Sequence, residues 1–150
     1  MLGRDIGEEI LVKSASVVTA VTAGGSGDAT EVDGTSIQRS ALGSMYESVK
    51  VVVHGVTTLQ AAETLSVAAN LQDSADGSSW ADFGTAVASA VVATGVTTAA
   101  GFESTYDFDI RAARDYVRVQ FTPSISTADT DTASIGAVMV LGGATEYPAA

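Results

Sequence analysis

A chain of 150 residues is long enough for one domain with a buried core and too short for two comfortable ones. Seven basic against eighteen acidic residues leave a formal net charge of -11, which opposes nucleic acid, whose binding needs a cationic footprint. The absence of cysteine excludes disulfides and thiolate metal sites, and no apolar run approaches the length of a membrane span.

Residues 1–13 are charged and alternate poorly, and read as an extended arm in preference to a helical turn; no secretory leader is expected there. Ser14 to Val21 is the first strand candidate. Residues 22–44 are dominated by Gly, Ser, Thr, Asp and Ala, so a long loop is expected, either a mobile surface segment or one that orders against a neighbour. Tyr46 to Val56 is a strand whose continuous apolar run is typical of a segment covered on both faces. From Thr64 the chain alternates strictly, with Leu65, Val67, Ala69 and Leu71 against Ser66, Ala68, Asn70 and Gln72. Asp76-Gly77 suits a tight hairpin turn, and Trp80 and Phe83 begin the return strand.

Thr85 to Thr94 reads as strand despite its alanine content, and Gly95 to Gly101 as a turn or loop. Phe102 to Ile110 and Tyr116 to Phe121 alternate again, and Pro123, which has no donor for a ladder, is expected to end the latter. Ser124 to Asp131 is a polar loop, Ala133 to Leu141 the last strand and residues 146–150 a tail. The sum is an all-β domain over residues 14–145. It is an antiparallel β-sandwich or jelly roll of about seven to eight strands, with periodicity leaving jelly-roll and immunoglobulin-like topologies open. Hydrophobic residues make up 46% but aromatics only 6%. A core of Val, Ala, Leu and Ile buries little area per residue, so part of the stability is expected from association with copies of the chain or with a partner.

Chemistry is sparse. His54 is the only histidine, and V-V-V-H-G offers it no nucleophile and no fellow zinc ligand. Asp107 and Asp109 share one strand face, as Asp129 and Asp131 do if extended; glycoside hydrolysis and calcium binding both use such pairs, but a solvated strand face accounts for the first pair more simply. The run A-G-G-S-G at residues 23–27 lacks the Lys and the helix of a phosphate loop. Trp80 reads as a buried anchor beside the turn rather than a sugar platform. Arg111, Arg114 and Arg118, interrupted by Asp115, read as locally paired cations or as a docking patch for an acidic surface. Neither catalysis nor a cofactor is expected.

The order of elements resembles that of small virion proteins of tailed bacteriophages, the capsid decoration or cement proteins. The resemblance rests on D-G-T-S-I-Q-R at residues 33–39, Y-E-S-V-K-V-V-V at 46–53, L-S-V-A-A-N-L-Q-D-S-A-D-G-S-S-W at 65–80, R-D-Y-V-R-V at 114–119 and A-V-M-V-L-G at 137–142. It implies a non-enzymatic protein, made in the host cytoplasm, that binds the major capsid protein on the outer surface of the virion, commonly as a homo-oligomer. It implies no nucleic-acid or membrane partner. The expected capsid or subunit contacts are Met1, Leu2, Arg4, Ile6, Ile10 and Leu11 from the arm, Ile37 and Arg39 from the long loop, and the arginines Arg111, Arg114 and Arg118. A tail or head-completion subunit is the alternative within the virion. A displayed carbohydrate-binding module is the other, and would need exposed aromatics from Tyr46, Trp80, Tyr106, Tyr116 and Tyr147.

Overall fold

Alternating segments with one apolar side bury that side by stacking two sheets face to face, and the computed structural model, which describes residues 6–127 and 130–144, has this form. After a helical turn at Ile6–Glu9, the strands are β1 (Leu11–Ser14), β2 (Thr19–Thr22), β3 (Val32–Asp33), β4 (Ile37–Gln38) and β5 (Tyr46–Thr58). They continue with β6 (Thr64–Ser74), β7 (Ala81–Thr94), β8 (Ala100–Asp109), β9 (Tyr116–Ile125) and β10 (Thr132–Ala144). The first sheet runs β1-β10-β5-β8, with β2 also on β10. The second runs β3-β9-β6-β7, with β4 also on β9. All pairings between these strands are antiparallel.

The short strands share positions: β1 and β2 occupy one place beside β10, and β3 and β4 one place beside β9. Ten strands therefore fill eight sites in two sheets of four positions each. Apart from the hairpin β6–β7, the chain crosses to the opposite sheet between successive sites. This is the strand order of a jelly roll. The choice left open by periodicity is settled by pairing.

The core forms where the inward rows meet. Val49, Val51, Val53, Ile135, Met139 and Leu141 of the first sheet face Leu65, Val67, Leu71, Val117, Val119 and Phe121 of the second, all buried. Aliphatic side chains dominate it, as the composition requires.

The structure differs from the sequence reading at several strand ends, the strand expected over Ser14 to Val21 being split between β1 and β2, and most clearly in four places. Where an extended arm is expected over residues 1–13, the described part is a helical turn and then β1, because β10 offers Leu11 to Ser14 a free edge. The segment 22–44 is ordered on its own domain: Asp28 accepts hydrogen bonds from Gly24 N at 2.8 Å and Ile125 N at 2.9 Å, and β3 and β4 pair with β9. Pro123 lies inside β9 instead of ending it. Its carbonyl accepts from Ala29 N at 2.9 Å, so the missing donor also faces away from β6 and costs that ladder nothing. The hairpin at Asp76-Gly77 is a wider loop, residues 75–80, folded around one carboxylate. Asp76 Oδ1 accepts from Ser78 N and Ser79 N, each at 2.8 Å, and Gly77 takes a left-handed φ of 73°.

Gly34 marks a tight crossing between the sheets. Its N donates to Val119 O at 2.8 Å while Thr35 N donates to Ala15 O at 2.7 Å, so this dipeptide bridges the two sheets. A Cβ on Gly34 would lie 2.4 Å from Val119 O and 2.5 Å from Ala15 O, both backbone atoms. Gly34→Val is therefore expected to lower stability by about 3 kcal/mol. Urea unfolding measures this, and an unchanged midpoint would show that the crossing is not tight.

Candidate docking surface

The expected contact residues separate into two groups. Ile37 and Arg39 are 6% and 5% exposed and belong to the interior, which corrects their reading as contacts. Arg39 opens a short 3-10 helix, Arg39–Leu42, and its guanidinium donates to the carbonyls of Ala113, Arg114 and Tyr46. An arginine is buried here because the chain ends of the sandwich leave several carbonyls without sheet partners, and a planar fork of donors meets them. Arg114 is likewise committed: its side chain and backbone N bind Asp73, with Nη2 2.6 Å from Oδ1 and the backbone N 2.8 Å from Oδ2. Asp115 completes the cluster by accepting from Gln38, from Ser40 N at 2.9 Å and from Ser40 Oγ at 2.9 Å.

Arg118 lies on the outer face of the second sheet, 4.5 Å above the centroid of Trp80, and binds Gln72 and Asp33. Trp80 is half-buried under this cation, neither a fully buried anchor nor an open sugar platform on that side. Beside it, the amides of Asn70, Gln72 and Gln120 are tied to Asp82, Glu31 and Asp33. This face satisfies its own polar groups.

Arg111 is the most exposed of the trio. It is paired with the exposed Asp109, whose carboxyl is held at about 2, first by the Arg111 side-chain hydrogen bond and then by the backbone one. Next to it a groove of about 620 Å³ opens on the outer side of the first sheet. Ile10 and Arg111 both line it, and Val140, Gly142 and the Lys50–Asp107 ion pair at 2.6 Å line it with them. Asp107 and Asp109 are thus the solvated, ion-paired strand face that alternation suggests. Leu11 is half-buried on β1; Met1, Leu2, Arg4 and the tail 146–150 lie outside the described residues, as does the side chain of Ile6.

His54 is exposed on β5, opposite Glu103 of β8. Among the described residues no three His, Cys, Asp or Glu side chains are grouped to hold a metal, and no helix is long and apolar enough to cross a membrane. Asp129 is not among the described residues. Asp131 is buried and accepts from Gln60 N at 2.9 Å, a loop-fixing role that spacing did not reveal. Sequence reasoning also missed Lys50 and Val140, whose signal is their even or odd position in a strand, legible only once the inward row is known.

Burial alone would raise the pKa of Asp73, but hydrogen bonds from the Arg114 side chain and backbone, with the charges of Arg114 and Arg39, hold it below the ordinary 3.8. A folded value below the unfolded one gives stability that is present above about pH 4 and lost as the pH falls through the folded value. Asp73→Asn should therefore unfold at lower urea than the parent at pH 7, by about 3 kcal/mol. The gap should narrow as the pH falls through the folded value, where the parent loses the same interaction. A gap that stays equal would remove Asp73 from the acid response.

No protein-family model matches the chain, and no curated protein matches it. Among solved structures it is similar to the PBSX exported protein XepA, at 16% identity and a TM-score of 0.48, over 93% of this chain and 39% of that one. It is similar to the infectious bursal disease virus VP2 subviral particle, at 14% identity and a TM-score of 0.47, over 93% of this chain and 34% of that one. It is also similar to the T=1 particles derived from infectious bursal disease virus, at 14% identity and a TM-score of 0.46, over 93% and 32%. The chain thus spans between about a third and two fifths of the length of these proteins, and no activity or partner passes from them to it.

Proposed function

We propose that this chain is a non-enzymatic structural protein of a bacteriophage virion that binds the outer surface of the capsid and stabilises the shell. The observation that carries the reading is the groove beside Arg111. In a chain of net charge -11, it is a place where two cations, Lys50 and Arg111, stand against three carboxylates, Glu47, Asp107 and Asp109, and where Ile10, Val140 and two glycines give an apolar floor. Charge largely offset around apolar surface lets an acidic body approach another protein with less repulsion. The jelly roll supports the reading at the level of fold analogy, since capsid domains use it, though lectin domains do too.

A clamp on a shell needs a stiff body and a contact that adds little conformational cost on docking. The bridged loop 22–44 and the charge cluster around Arg39 supply the stiffness, and the groove supplies the contact.

Purified protein should co-sediment with expanded, undecorated shells from the same genome, saturating at a fixed ratio to capsid subunits. Arg111→Glu, a change at an exposed side chain, should weaken binding about tenfold while leaving the far-UV circular dichroism unchanged. Folded protein that ignores mature shells would overturn the proposal. Closed rings formed without shell binding would transfer the chain to the tail or head-completion class.

A further inference from the structure

The outer face of the second sheet is built of planar hydrogen-bonding side chains fixed to one another. By register Asn70 of β6 stands beside Gln120 of β9, and Gln72 beside Arg118. Asp82 of β7 lies on the far side of Gln72, and Asp33 of β3 on the far side of Gln120. Asp82 Oδ1 accepts from Asn70 Nδ2 and from Gln72 Nε2, each at 2.9 Å. Gln72 Oε1 accepts from Arg118 Nε at 2.9 Å and from Nη2 at 2.7 Å. Gln120, buried, accepts from Asn70 and donates to Glu31 and Asp33. One network thus crosses all four strand positions. Its groups are satisfied but not saturated: Asp82 Oδ2, Asn70 Oδ1 and Arg118 Nη1 hold no hydrogen bond among the described residues.

We infer that this face binds a neutral saccharide, independently of the contact made by the first sheet. Charge and chemistry remove the other classes. Three carboxylates, Glu31, Asp33 and Asp82, against the one cation Arg118 oppose an anion. A cationic side chain would seek the face of Trp80, and that seat is taken by the chain's own Arg118, 4.5 Å from the ring centroid. An apolar partner finds no anchor, since the outward row of β6 is Ser66, Ala68, Asn70 and Gln72, and Thr122 and Ser124 continue that of β9. A hydroxyl both donates and accepts. A sugar can therefore donate to the spare carboxylate and amide oxygens and accept from the guanidinium. These groups stand about 4.8 Å apart between strands and about 7 Å along them, spans that one or two sugar rings cover. The shape agrees: Ser66 to Gln72 are half-buried on this side, while the flanking Glu31, Asp33 and Asp82 are exposed, so the row lies between raised acidic rims. Partners already held in place add little ordering cost on binding.

The sole tryptophan lies at this face and reports on it. Titration with neutral hexasaccharides of glucose, galactose, mannose and N-acetylglucosamine should change Trp80 emission for at least one of them, with a dissociation constant between about 10 μM and about 1 mM. Added salt should leave that constant unchanged, as it would not for a charged ligand. Asp82→Ala, at an exposed position, should weaken binding about tenfold, the loss of one hydrogen bond to a charged group, with circular dichroism unchanged. Asn70→Ala should do the same through its spare oxygen. Glu103→Gln, exposed on β8 of the first sheet, should leave sugar binding intact. Co-sedimentation with shells should survive Asp82→Ala and Asn70→Ala, which separates this inference from shell binding. Emission and titration heat unmoved by all four sugars overturn the proposal, and so does sugar binding that survives both variants. Salt-sensitive binding of hexalysine, lost in Asp82→Ala, in place of sugar binding also overturns it and gives the face to a cationic partner.

Discussion

The buried guanidinium of Arg39 fastens the end of the sandwich where β5 begins and β6 finishes. Its donors reach carbonyls on the β5 side and in the 113–114 segment, sequence neighbours and strangers alike. An ion buried without partners costs several kcal/mol, so the arginine holds its place only because carbonyls, Asp73 and Asp115 surround it. The consequence reaches along the chain. Arg39 follows directly on β4, and β4 is one of the two short strands that complete the second sheet beside β9. A segment of small polar residues, with little apolar surface to bury, is held to the domain by charge and backbone hydrogen bonds where a hydrophobic anchor is lacking.

That fastening explains why the long segment contributes to the body and not to a reaching arm. Asp28 and Gly34 tie it to β9, Thr35 to Ala15, and Arg39 to the 113–115 segment. Each tie is polar, and each joins residues far apart in sequence. The interior that results is aliphatic and thin, and a polar perimeter closes it.

The sheet edges are treated differently from the sheet faces. β7, which ends the second sheet, pairs with β6 through several register shifts, and such bulges blunt an edge against further strands. β8, which ends the first, carries Glu103, Asp107 and Asp109 along its length. The opposite edges are made of strands of two to four residues. Uncontrolled strand addition is thus resisted around the perimeter.

The long strands were legible in the chain. Strict alternation from Leu65 to Leu71, from Phe102 to Ile110 and from Tyr116 to Phe121 is a local property, because successive side chains leave a strand on opposite sides whatever lies beyond them. The acidic balance, the lack of cysteine and the solvated pairing of Asp107 were legible for the same reason. The short strands were not, since Leu11 to Ser14 and Ile37-Gln38 have no period long enough to read and exist only because β10 and β9 offer them an edge. Nor could the chain show that Arg39 is interior: its partners Ala113 and Arg114 lie more than seventy residues away. Pro123 was read as a terminator because its missing donor is local, whereas the side to which that gap points depends on the ladder. Strand identity and net charge are therefore determined by the sequence itself, through period and composition. Which strands are neighbours and which arginine is buried were decided by tertiary structure, because pairing brings together groups that no local pattern connects.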